Sequence, residues 1–451
     1  MIVVVGGGIS GLSAAWYLAQ AGQSCTLIEK NPRLGGVIET ASWEGCVLEG
    51  GPDSFLAAKP EALQLAREVG IDNEIISSND DRRITYIWKR GRLIAMPDGM
   101  IMMAPSRLGP VVTTPLLGWG TKIRMGLEYF RRPQGLREER SVTEFVREHY
   151  GQEAVDYLAE PLLAGVYGGD PQALSVDAVL ARFVDMETKY GSLTRGALEA
   201  RKQMQAGAGS LFRTFRNGLG SLIEALEAKI GGRMRVIRAQ VEALERIAEG
   251  WRVRAGGEWL AATDVVLAVP SYAAAALLQP FDGELARLLD SVDYSSSITV
   301  ALVFKPGRLP KELTGFGFLV PRKEKRSLRA ATFVHNKFPF RAPEGYAVIR
   351  CFLGGMLDRP DEAIYSAVMR DLREMIGLTA QPDFQRLSRW PRGMAQYTLG
   401  HAYRVREIEN RVAALPGLQI AGNAYQGIGI PDCIRSGKHA VQRLHFRHHA
   451  V

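Results

Sequence analysis

The 451-residue sequence is poor in cysteine and histidine and lacks a long uncharged apolar run. Its four cysteines form no close pair, and no Cys/His set has metal-ligand spacing. This argues against a disulfide framework and a metal site, and it favours a reducing compartment. The longest apolar stretch, residues 108–120, has about 13 residues and two prolines, fewer than the roughly 20 of a membrane span. No basic segment precedes the apolar residues after Met1, so we expect no secretory signal peptide.

Catalytic constellations are missing as well. No Ser-His-Asp, Cys-His or paired-carboxylate arrangement stands out, so we assign no catalytic residue and no metal ligand. His401 is interpreted as structural rather than as a general base, and His445, His448 and His449 lie in a tail that we expect to be frayed. With 46% hydrophobic and 23% charged residues, the chain is nevertheless able to bury a large core.

Acidic residues are scarce in one segment only. Residues 82–137 hold 11 basic side chains and two acidic ones, whereas the other 395 residues carry 45 basic and 46 acidic. The formal net charge of +8 is therefore local. The basic residues alternate with Met, Leu, Ile and Pro rather than with stacking aromatics, which argues against nucleic acid as a partner. Apolar residues rimmed by Arg and Lys predict peripheral contact with an anionic membrane surface, and a solvated basic face is the alternative.

A glycine-rich turn follows the first predicted strand, Ile2–Val5. A predicted helix, Leu12–Ala21, comes next, and a second strand ends at Glu29, 18 residues beyond the last glycine. Glycines let a pyrophosphate approach the backbone at a helix N-terminus, and a carboxylate at this spacing accepts ribose hydroxyls. The order predicts a dinucleotide-binding βαβ unit rather than an ordinary turn. The residues matching G-x-G-x-x-G are Gly6, Gly7, Gly8, Ile9, Ser10 and Gly11.

Two further glycine loops favour FAD over a nicotinamide cofactor. Residues 33–36 and 49–53 come directly after the βαβ unit, where nicotinamide-binding folds continue into another βαβ unit. In the tail, a strand ends at Gly422-Asn423, and residues 427–431 lead into a helix at Asp432. Free N–H groups at that helix start could face the flavin N1–C2=O edge, where negative charge develops on reduction. An ordinary β–α turn is the alternative.

Strand and glycine signals recur in the first, third and last parts of the chain. We therefore predict an α/β protein, α+β overall, with one Rossmann-like FAD-binding domain assembled from separated segments. The predicted boundaries are 1–81, 209–285 and 389–451 for the FAD-binding domain, 82–208 for a helical, basic, Met-rich domain, and 286–388 for a mixed-sheet substrate-binding domain.

With these motifs, the chain resembles FAD-containing amine-oxidase-like flavoproteins and, within them, oxygen-dependent protoporphyrinogen and coproporphyrinogen oxidases. The segment Glu160–Pro171, followed by Leu174-Ser175, is the most specific part of the resemblance. Other matching segments follow in family order over the whole chain: 315–321, 352–355, 390–391, 396–397, 400–401 and 422–437. The resemblance implies that the 82–208 domain associates with the membrane and opens the substrate channel.

The resemblance also implies a set of cofactor contacts. The adenosine and pyrophosphate contacts would be Gly6 to Gly11, Glu29, Lys30, Gly36 and Val37, with Val241 at the adenine. The flavin would be lined by Gly51, Pro52, Asp53, Ser54, Trp390, Gly422, Asn423, Ile428, Gly429 and Ile430.

For a tetrapyrrole substrate, the resemblance implies a backbone contact at Gly165 and apolar contacts from Leu319 and Phe352, which would clamp the macrocycle. The alternative is that Leu319 and Phe352 are ordinary residues of the hydrophobic core. Plant and animal members pair a substrate propionate with an Arg at the position where this chain has Thr85, and Arg83 lies just upstream. Two-propionate and four-propionate porphyrinogens therefore both stay open. The basic cluster Arg82, Arg83, Lys89, Arg90 and Arg92 would suit a polyanionic tetrapyrrole, or it is a solvated surface.

The implied function is a flavin-dependent oxidase of haem biosynthesis. It would remove six electrons from a porphyrinogen, with hydride transfer to FAD N5 and molecular oxygen as acceptor. A flavin amine oxidase, a carotenoid desaturase and a non-enzymatic flavin-bearing membrane sensor are the alternatives. Cys433 falls in the helix after the flavin loop, so we expect non-covalent FAD. The expected location is the cytoplasm, peripheral on the inner face of the cell membrane, and monomer and homodimer stay open.

Overall fold

The computed structural model describes residues 1–133, 135, 137–203, 210–309 and 313–444, without the side chains of Val166 and Tyr167. The three tail histidines, His445, His448 and His449, lie outside these residues, as does the predicted boundary at 208–209. The strands in chain order are β1 (Ile2–Val5), β2 (Cys25–Glu29), β3 (Thr40–Trp43), β4 (Cys46–Glu49), β5 (Phe55–Leu56), β6 (Ile75–Ser77), β7 (Thr85–Lys89), β8 (Arg92–Ala95), β9 (Met100–Ile101), β10 (Ala104–Pro105), β11 (Phe212–Phe215), β12 (Met234–Arg238), β13 (Val241–Ile247), β14 (Gly250–Ala255), β15 (Glu258–Ala262), β16 (Asp264–Leu267), β17 (Tyr294–Phe304), β18 (Gly317–Leu319), β19 (Leu328–Phe333), β20 (Ala347–Leu353), β21 (Phe384–Ala395) and β22 (Leu418–Ile420).

Helices lie between these strands. The α-helices are α1 (Ile9–Gln20), α2 (Glu61–Glu68), α3 (Leu108–Thr113), α4 (Trp119–Glu128), α5 (Val142–Tyr150), α6 (Gln152–Ala154), α7 (Glu160–Tyr167), α8 (Val176–Val179), α9 (Ala181–Tyr190), α10 (Leu193–Gln203), α11 (Gly220–Ile230), α12 (Ser271–Leu278), α13 (Gly283–Asp290), α14 (Val334–Lys337), α15 (Asp361–Ile376), α16 (His401–Ala413) and α17 (Ile430–Gln442). Helices α3 to α10 form one uninterrupted run, in which a π-helical turn, Val155–Ala159, joins α6 to α7.

A five-stranded parallel sheet of order β12-β2-β1-β16-β22 organises the first layer. Its strands β1 and β2 are buried at every residue, as expected of a parallel sheet covered on both faces. The strands come from the start, the middle and the end of the chain. The α/β fold class and the assembly of this sheet from separated segments are therefore confirmed.

Helices α1 and α17 pack against each other on one face of this sheet. A Cβ added at Gly437 of α17 would lie 2.3 Å from the carbonyl oxygen of Ser10 in α1, so a glycine is required for this close approach. Helix α1 begins at Ile9, three residues before the predicted start, because the last residues of the glycine fingerprint already form its first turn. The two ends of the chain are thus brought together beside the glycine turn.

A seven-stranded mixed sheet of order β21-β17-β20-β19-β18-β7-β8 forms the second layer. Helix α15, whose bounds match the predicted helix near residues 361–376, covers one face of this sheet through Ile364, Val368 and Leu372. The prediction that the chain turns helical from residue 82 is wrong for β7 and β8. Strand β7 pairs in parallel with β18. Its adjacent residues Ile87 and Trp88 are buried in two different hydrophobic cores, one on each face of the sheet. A strand buried on both faces carries no alternation that would reveal it in sequence.

Helices α3 to α10 make up a third layer around an apolar core that includes Phe145, Leu158 and Phe183. It packs against the second sheet through Leu319 of β18 and Ile87 of β7. Within the described ranges, we find no helix that combines the length and the apolar character of a membrane span.

Candidate active site

The turn between β1 and α1 is shaped for close approach of a ligand to the backbone. Gly6 has φ +104°, and a Cβ added at Gly11 would lie 1.9 Å from the carbonyl oxygen of Gly6. Helix α1 has no capping side chain, and its N-cap residue is Gly8. A Cβ at Gly8 would meet only one atom within 4 Å, the Cα of Gly36 at 4.0 Å. The start of α1 is therefore uncapped by a side chain and open at Gly8, which suits the binding of an anion such as a pyrophosphate.

Glu29 ends β2 beside this turn, with only 7% of its surface exposed. Its Oε2 accepts a hydrogen bond from Gly7 N at 2.7 Å, and its Oε1 accepts from the backbone and side-chain nitrogens of Asn31 at 2.8 and 2.7 Å. A carboxylate has about four acceptor positions, so capacity remains for a ribose hydroxyl. The support by Asn31 was missed in the sequence, where an Asn two residues after a strand was its only signal.

The second and third glycine loops stack on the first turn. Gly36, with φ +60°, faces Gly8, and a Cβ at Gly51 would lie 1.7 Å from the carbonyl oxygen of Val37. Arg33 fixes this arrangement because its Nη1 and Nη2 donate to the carbonyl oxygens of Ile38 at 2.8 Å and Gly36 at 2.6 Å. Val37 itself is 41% exposed. These loops bring the predicted contacts at residues 36–37 and 51–54 together with the glycine turn.

The loop 50–54, which we call the flavin loop because it carries the predicted flavin contacts Gly51, Pro52, Asp53 and Ser54, is held by the second sheet. Its Gly50 carbonyl oxygen accepts from Trp390 Nε1 at 2.8 Å and from the Thr299 hydroxyl. The Gly51 carbonyl oxygen accepts from the Arg350 guanidinium. Trp390 was predicted to contact the flavin, whereas Thr299 and Arg350 reach the loop only through the register of distant strands.

Asp53 in the flavin loop is an ionised carboxylate. Burial alone would raise the pKa of Asp53, but Lys337 Nζ at 3.1 Å and Arg350 Nη1 at 3.7 Å hold it well below its ordinary value. Ser54 Oγ donates to the same carboxylate at 2.6 Å. Two cations on one carboxylate leave the surroundings of the flavin loop positively charged.

The loop between β22 and α17, which we call the tail loop, lies at the carboxyl-terminal edge of the first sheet, beside the glycine turn. Gly422 has φ +145°, and its N–H donates to Ser436 Oγ at 3.0 Å. Gly429 is the N-cap of α17, which begins at Ile430. Asp432 Oδ2 accepts from Gly429 N at 3.2 Å, so this helix start is partly capped by its own carboxylate. Asn423 Nδ2 donates to the Gly393 carbonyl oxygen at 3.4 Å, which places this loop beside β21, three residues after Trp390. Ile428 lies half-buried between these residues.

Two predicted adenosine contacts, Lys30 and Val241, lie near the ends of β2 and β12 at the carboxyl-terminal edge of the first sheet. Ala239, just after β12, donates its N–H to the carbonyl oxygen of Glu29 at 3.1 Å. Val241 follows two residues later and is half-buried. Lys30 is exposed next to Glu29. The predicted cofactor contacts in the sheet layer therefore meet at the carboxyl ends of β1, β2, β12 and β22, where α/β sheets bind nucleotides.

His401 is buried and supports the tail loop, which agrees with a structural role. Its ring stacks on Tyr397 with centroids 3.8 Å apart, and its Nε2 lies 2.9 Å from the carbonyl oxygen of Tyr425. The Tyr397 hydroxyl donates to Asn423 O at 2.8 Å and accepts from Gly427 N at 2.7 Å. Burial, reinforced by Arg404, lowers the pKa of His401 to about 4.

We expect this histidine to destabilise the protein in acid. The pKa of His401 is 6.5 in the unfolded chain and about 4 in the folded protein. The neutral, buried ring therefore contributes fully to stability above pH 6.5, and this contribution is lost as the pH falls towards 4. The loss between pH 7 and pH 5 is about 2 kcal/mol. Urea unfolding at both pH values measures it. The variant His401→Gln should show a correspondingly flatter pH dependence, and equal slopes in both proteins would contradict this assignment.

The predicted substrate residues gather on the face of the second sheet opposite α15. Strand register aligns Leu319 with Ala330, Ala330 with Phe352, and Phe352 with Thr299. Cross-strand neighbours point to the same face, and Thr299 donates to the flavin loop. A Cβ at Gly165 of α7 would lie 3.7 Å from Leu319 Cδ2. Leu319 and Phe352 are half-buried, and neither belongs to the core beneath α15.

The predicted propionate residues lie further along the same sheet. Thr85 pairs with Gly317, two residues from Leu319, and is half-buried, whereas Arg83 is exposed. Lys89 of the basic cluster is not a solvated surface cation, so that alternative is wrong for this residue. It is 9% exposed and its Nζ donates to Leu116 O at 2.6 Å and Glu153 Oε1 at 2.8 Å.

Comparison with known proteins decides the family. The family model of flavin containing amine oxidoreductases matches residues 9–445. The chain belongs to this family. Members of the family carry flavin. The glycine turn and Glu29 fit an FAD molecule because Gly8 leaves the start of α1 open and the Glu29 carboxylate lies beside the same turn. The chain is therefore an FAD-dependent oxidoreductase, and the predicted resemblance is confirmed.

Several members of the family resemble this chain over its whole length. Coproporphyrinogen III oxidase of Bacillus subtilis (strain 168) is 32% identical over 460 residues, covering 98% of this chain and 97% of that protein. Protoporphyrinogen oxidase 1, chloroplastic, of Arabidopsis thaliana is 28% identical over 469 residues, which cover 96% of this chain and 85% of that protein. A crystal structure from Exiguobacterium sp. 255-15, assigned as a protoporphyrinogen oxidase, has a TM-score of 0.88 at 32% identity and covers 98% and 97%. Cyclohexylamine oxidase from Brevibacterium oxydans IH-35A has a TM-score of 0.70 at 17% identity. The match covers 98% of this chain and 97% of that protein, and it shows the fold alone.

Proposed function

We propose that this flavoprotein is a porphyrinogen oxidase of haem biosynthesis, acting on protoporphyrinogen IX or coproporphyrinogen III. The observation that carries the proposal is the convergence of Gly165, Leu319 and Phe352 on the sheet face that also holds the flavin loop. FAD, which the glycine turn, Glu29 and the flavin loop would hold, would supply the two-electron oxidation needed in each of the three rounds that separate porphyrinogen from porphyrin, with molecular oxygen as the final acceptor.

The protein's own task is to position and to desolvate. Leu319 and Phe352 offer apolar surface to the middle of the macrocycle, and Gly165 leaves room for the ring to pass along α7. Trp390, Thr299 and Arg350 fix the flavin loop against the same sheet. Holding the reacting carbon in one orientation while water is excluded is worth several orders of magnitude in rate. The mechanism therefore needs no acid–base residue to break the C–H bond, and we assign none.

Porphyrin fluorescence tests the proposal directly. We expect aerobic turnover of both porphyrinogens to give fluorescent porphyrin, and the ratio of their kcat/KM values identifies the preferred substrate. A ratio near one would show that Thr85 does not select between two and four propionates. Oxidation of a primary amine or of phytoene, with no porphyrin formed, would favour the amine-oxidase or desaturase alternative instead.

The flavin in this proposal is non-covalent. Cys433 lies in α17 with 7% of its surface exposed, and burial raises the pKa of its thiol to about 12, so little nucleophilic thiolate is present. Its Sγ contacts the carbonyl oxygen of Ile428 at 3.9 Å. Acid precipitation should therefore release all flavin into the supernatant.

The proposed membrane contact lies on α4. Trp119, Ile123 and Leu127 follow one another at helical spacing and are 68, 59 and 65% exposed, and Phe130 beyond the helix is 71% exposed. The opposite side of α4 buries Met125. We call Trp119, Ile123, Leu127 and Phe130 the α4 face. A large apolar patch of this kind on a helix end is unusual for a water-facing surface.

Basic side chains accompany the α4 face. Lys122 and Arg124 lie on α4 itself, and Arg131 and Arg132 follow Phe130. An apolar helix face with Arg and Lys beside it fits the interface of an anionic bilayer, where apolar residues enter the acyl boundary and cations meet lipid phosphates. We therefore propose a cytoplasmic enzyme bound peripherally to the inner face of the cell membrane.

Vesicle sedimentation tests this contact. The double variant Ile123→Asp/Leu127→Asp should bind anionic vesicles at least about tenfold more weakly, because burial of each apolar side chain contributes roughly 1.5 to 3 kcal/mol. FAD content should not change, since the α4 face is exposed. Tyr403→Asp, which replaces a 60% exposed aromatic on α16, is the matched control and should bind as the wild type does. If the double variant binds anionic vesicles as tightly as the wild type does, the α4 face is a solvent-exposed surface and not the membrane contact.

A further inference from the structure

Arg329 sits at an irregularity of the second sheet. The register of β19 against β20 shifts between Leu328 and Ala330, so Arg329 is the extra residue of a β-bulge. Its carbonyl oxygen accepts from Val320 N at 2.8 Å. A Cβ built at Gly354 would lie 4.0 Å from Arg329 Nε, which places the guanidinium beside the residues that follow Phe352. Bulges re-aim a side chain next to functional sites.

The Arg329 guanidinium is incompletely satisfied. Its Nη1 is fully buried and, among the described residues, has no hydrogen-bond partner. Burial, and then the nearby positive charge of Arg322, lower the pKa of Arg329, while Glu160 and Asp371 act in the opposite direction. A buried N–H group without an acceptor costs free energy, and such a group in a native protein calls for a ligand or another explanation.

The surroundings of Arg329 contain a second guanidinium and the most family-specific segment of the chain. Arg322 Nε lies 3.4 Å from Glu160 Oε1, and Arg322 Nη2 donates to the carbonyl oxygen of Gly169 at 2.8 Å. Burial raises the pKa of Glu160, while Arg322 and Arg329 act in the opposite direction. Asp170 Oδ2 lies 3.9 Å from Arg322 Nη1, so Arg322 engages both Glu160 and Asp170. The Nη1 of Arg329 has no acceptor among the described residues.

We infer that Arg329, supported by Arg322, binds a propionate carboxylate of the tetrapyrrole. The inference rests on the proposed function and names a specificity residue for it. A guanidinium presents a planar fork of donors that matches a carboxylate. Leu319 pairs with Ala330, the residue after Arg329, whereas Thr85 pairs with Gly317. At about 3.3 Å per residue, Arg329 therefore lies roughly 10 Å along the sheet from Thr85, at the other end of the apolar clamp.

Binding of a product and its ester tests the inference without turnover. FAD-loaded wild type and the variants Arg329→Leu and Arg329→Lys are titrated with coproporphyrin III and with its tetramethyl ester, and porphyrin fluorescence reports the Kd. Arg329→Leu should bind the free acid about 10- to 100-fold more weakly and the ester as the wild type does. Arg329→Lys should recover part of the loss. Arg326→Leu is the matched control, because Arg326 precedes the same strand but pairs with Glu374 of α15.

Each outcome decides between the two proposals. An unchanged Kd for the free acid, or an equal loss for acid and ester, overturns the role of Arg329 even if the wild type oxidises porphyrinogens. In turnover, Arg329→Leu should raise KM while kcat stays within about threefold, as expected when ground-state and transition-state binding are lost together. If the wild type oxidises no porphyrinogen but binds the acid more tightly than the ester, the proposed function fails and the carboxylate site stands.

Discussion

Replacing Gly11 by alanine should leave the protein with less than about a tenth of its normal FAD. The added Cβ would lie 1.9 Å from the carbonyl oxygen of Gly6, which is backbone and cannot rotate away. Helix α1 must then move off the β1 turn, and overpacking of this kind costs about 1 to 3 kcal/mol. The same movement displaces the helix start from the pyrophosphate, so most of the FAD affinity that comes from the backbone N–H groups is lost. The flavin absorbance of purified protein measures the effect.

The matched control is Gly126→Ala in α4. A Cβ at Gly126 meets no atom within 4 Å, and the residue lies in a helix, so this variant should keep its full FAD content. Circular dichroism of both variants separates loss of FAD from loss of fold. If the Gly11→Ala variant retains half or more of its FAD, the placement of the pyrophosphate at the α1 turn is contradicted.

Replacing Arg341 by methionine should lower the free energy of unfolding by about 3 to 5 kcal/mol. Arg341 and Glu49 form an ion pair of 2.9 Å with 1% and 3% of their side chains exposed. It links β4, next to the flavin loop, with the segment before β20 in the second sheet. Loss of the guanidinium leaves the Glu49 carboxylate buried beside Leu219 N and the Thr40 hydroxyl, which are neutral donors only.

Urea unfolding of the FAD-loaded protein measures this effect. Glu49→Gln/Arg341→Met removes both charges and should recover more than half of the loss, because no uncompensated charge remains. Arg308→Met is the control, since Arg308 pairs with Asp383 while 58% exposed, and it should change stability by less than about 1 kcal/mol. A loss in Arg341→Met no larger than in Arg308→Met would show that the buried pair does not hold the two layers together.

The parts of the site that are local in sequence could be predicted from it. The glycine turn and Glu29 lie within one βαβ unit, and α15 shows its amphipathic period over residues 361–376, so short-range pattern sufficed. The strands β7 and β8 could not be recognised. Strand β7 exists because it pairs with β18, more than 200 residues away, and both of its faces are buried.

The supports of the flavin loop were hidden for the same reason. Arg350 of β20 and Lys337 of α14 reach Asp53 only after these two elements and the flavin loop have come together, and neither residue belongs to a recognisable motif. For Leu319 and Phe352, the sequence left core and substrate contact open, and strand register then placed both on the face that carries Thr299. Side-chain direction in a sheet depends on register, which long-range pairing determines.

Anaerobic mixing of the FAD-loaded protein with a porphyrinogen tests the central claim most directly. Deoxygenated protoporphyrinogen IX and coproporphyrinogen III are each mixed with the oxidised protein, and the visible absorbance of the flavin is followed. The account predicts that at least one of them bleaches the flavin, and that admission of oxygen restores the yellow colour as porphyrin fluorescence appears. A flavin that stays oxidised with both porphyrinogens would contradict the account.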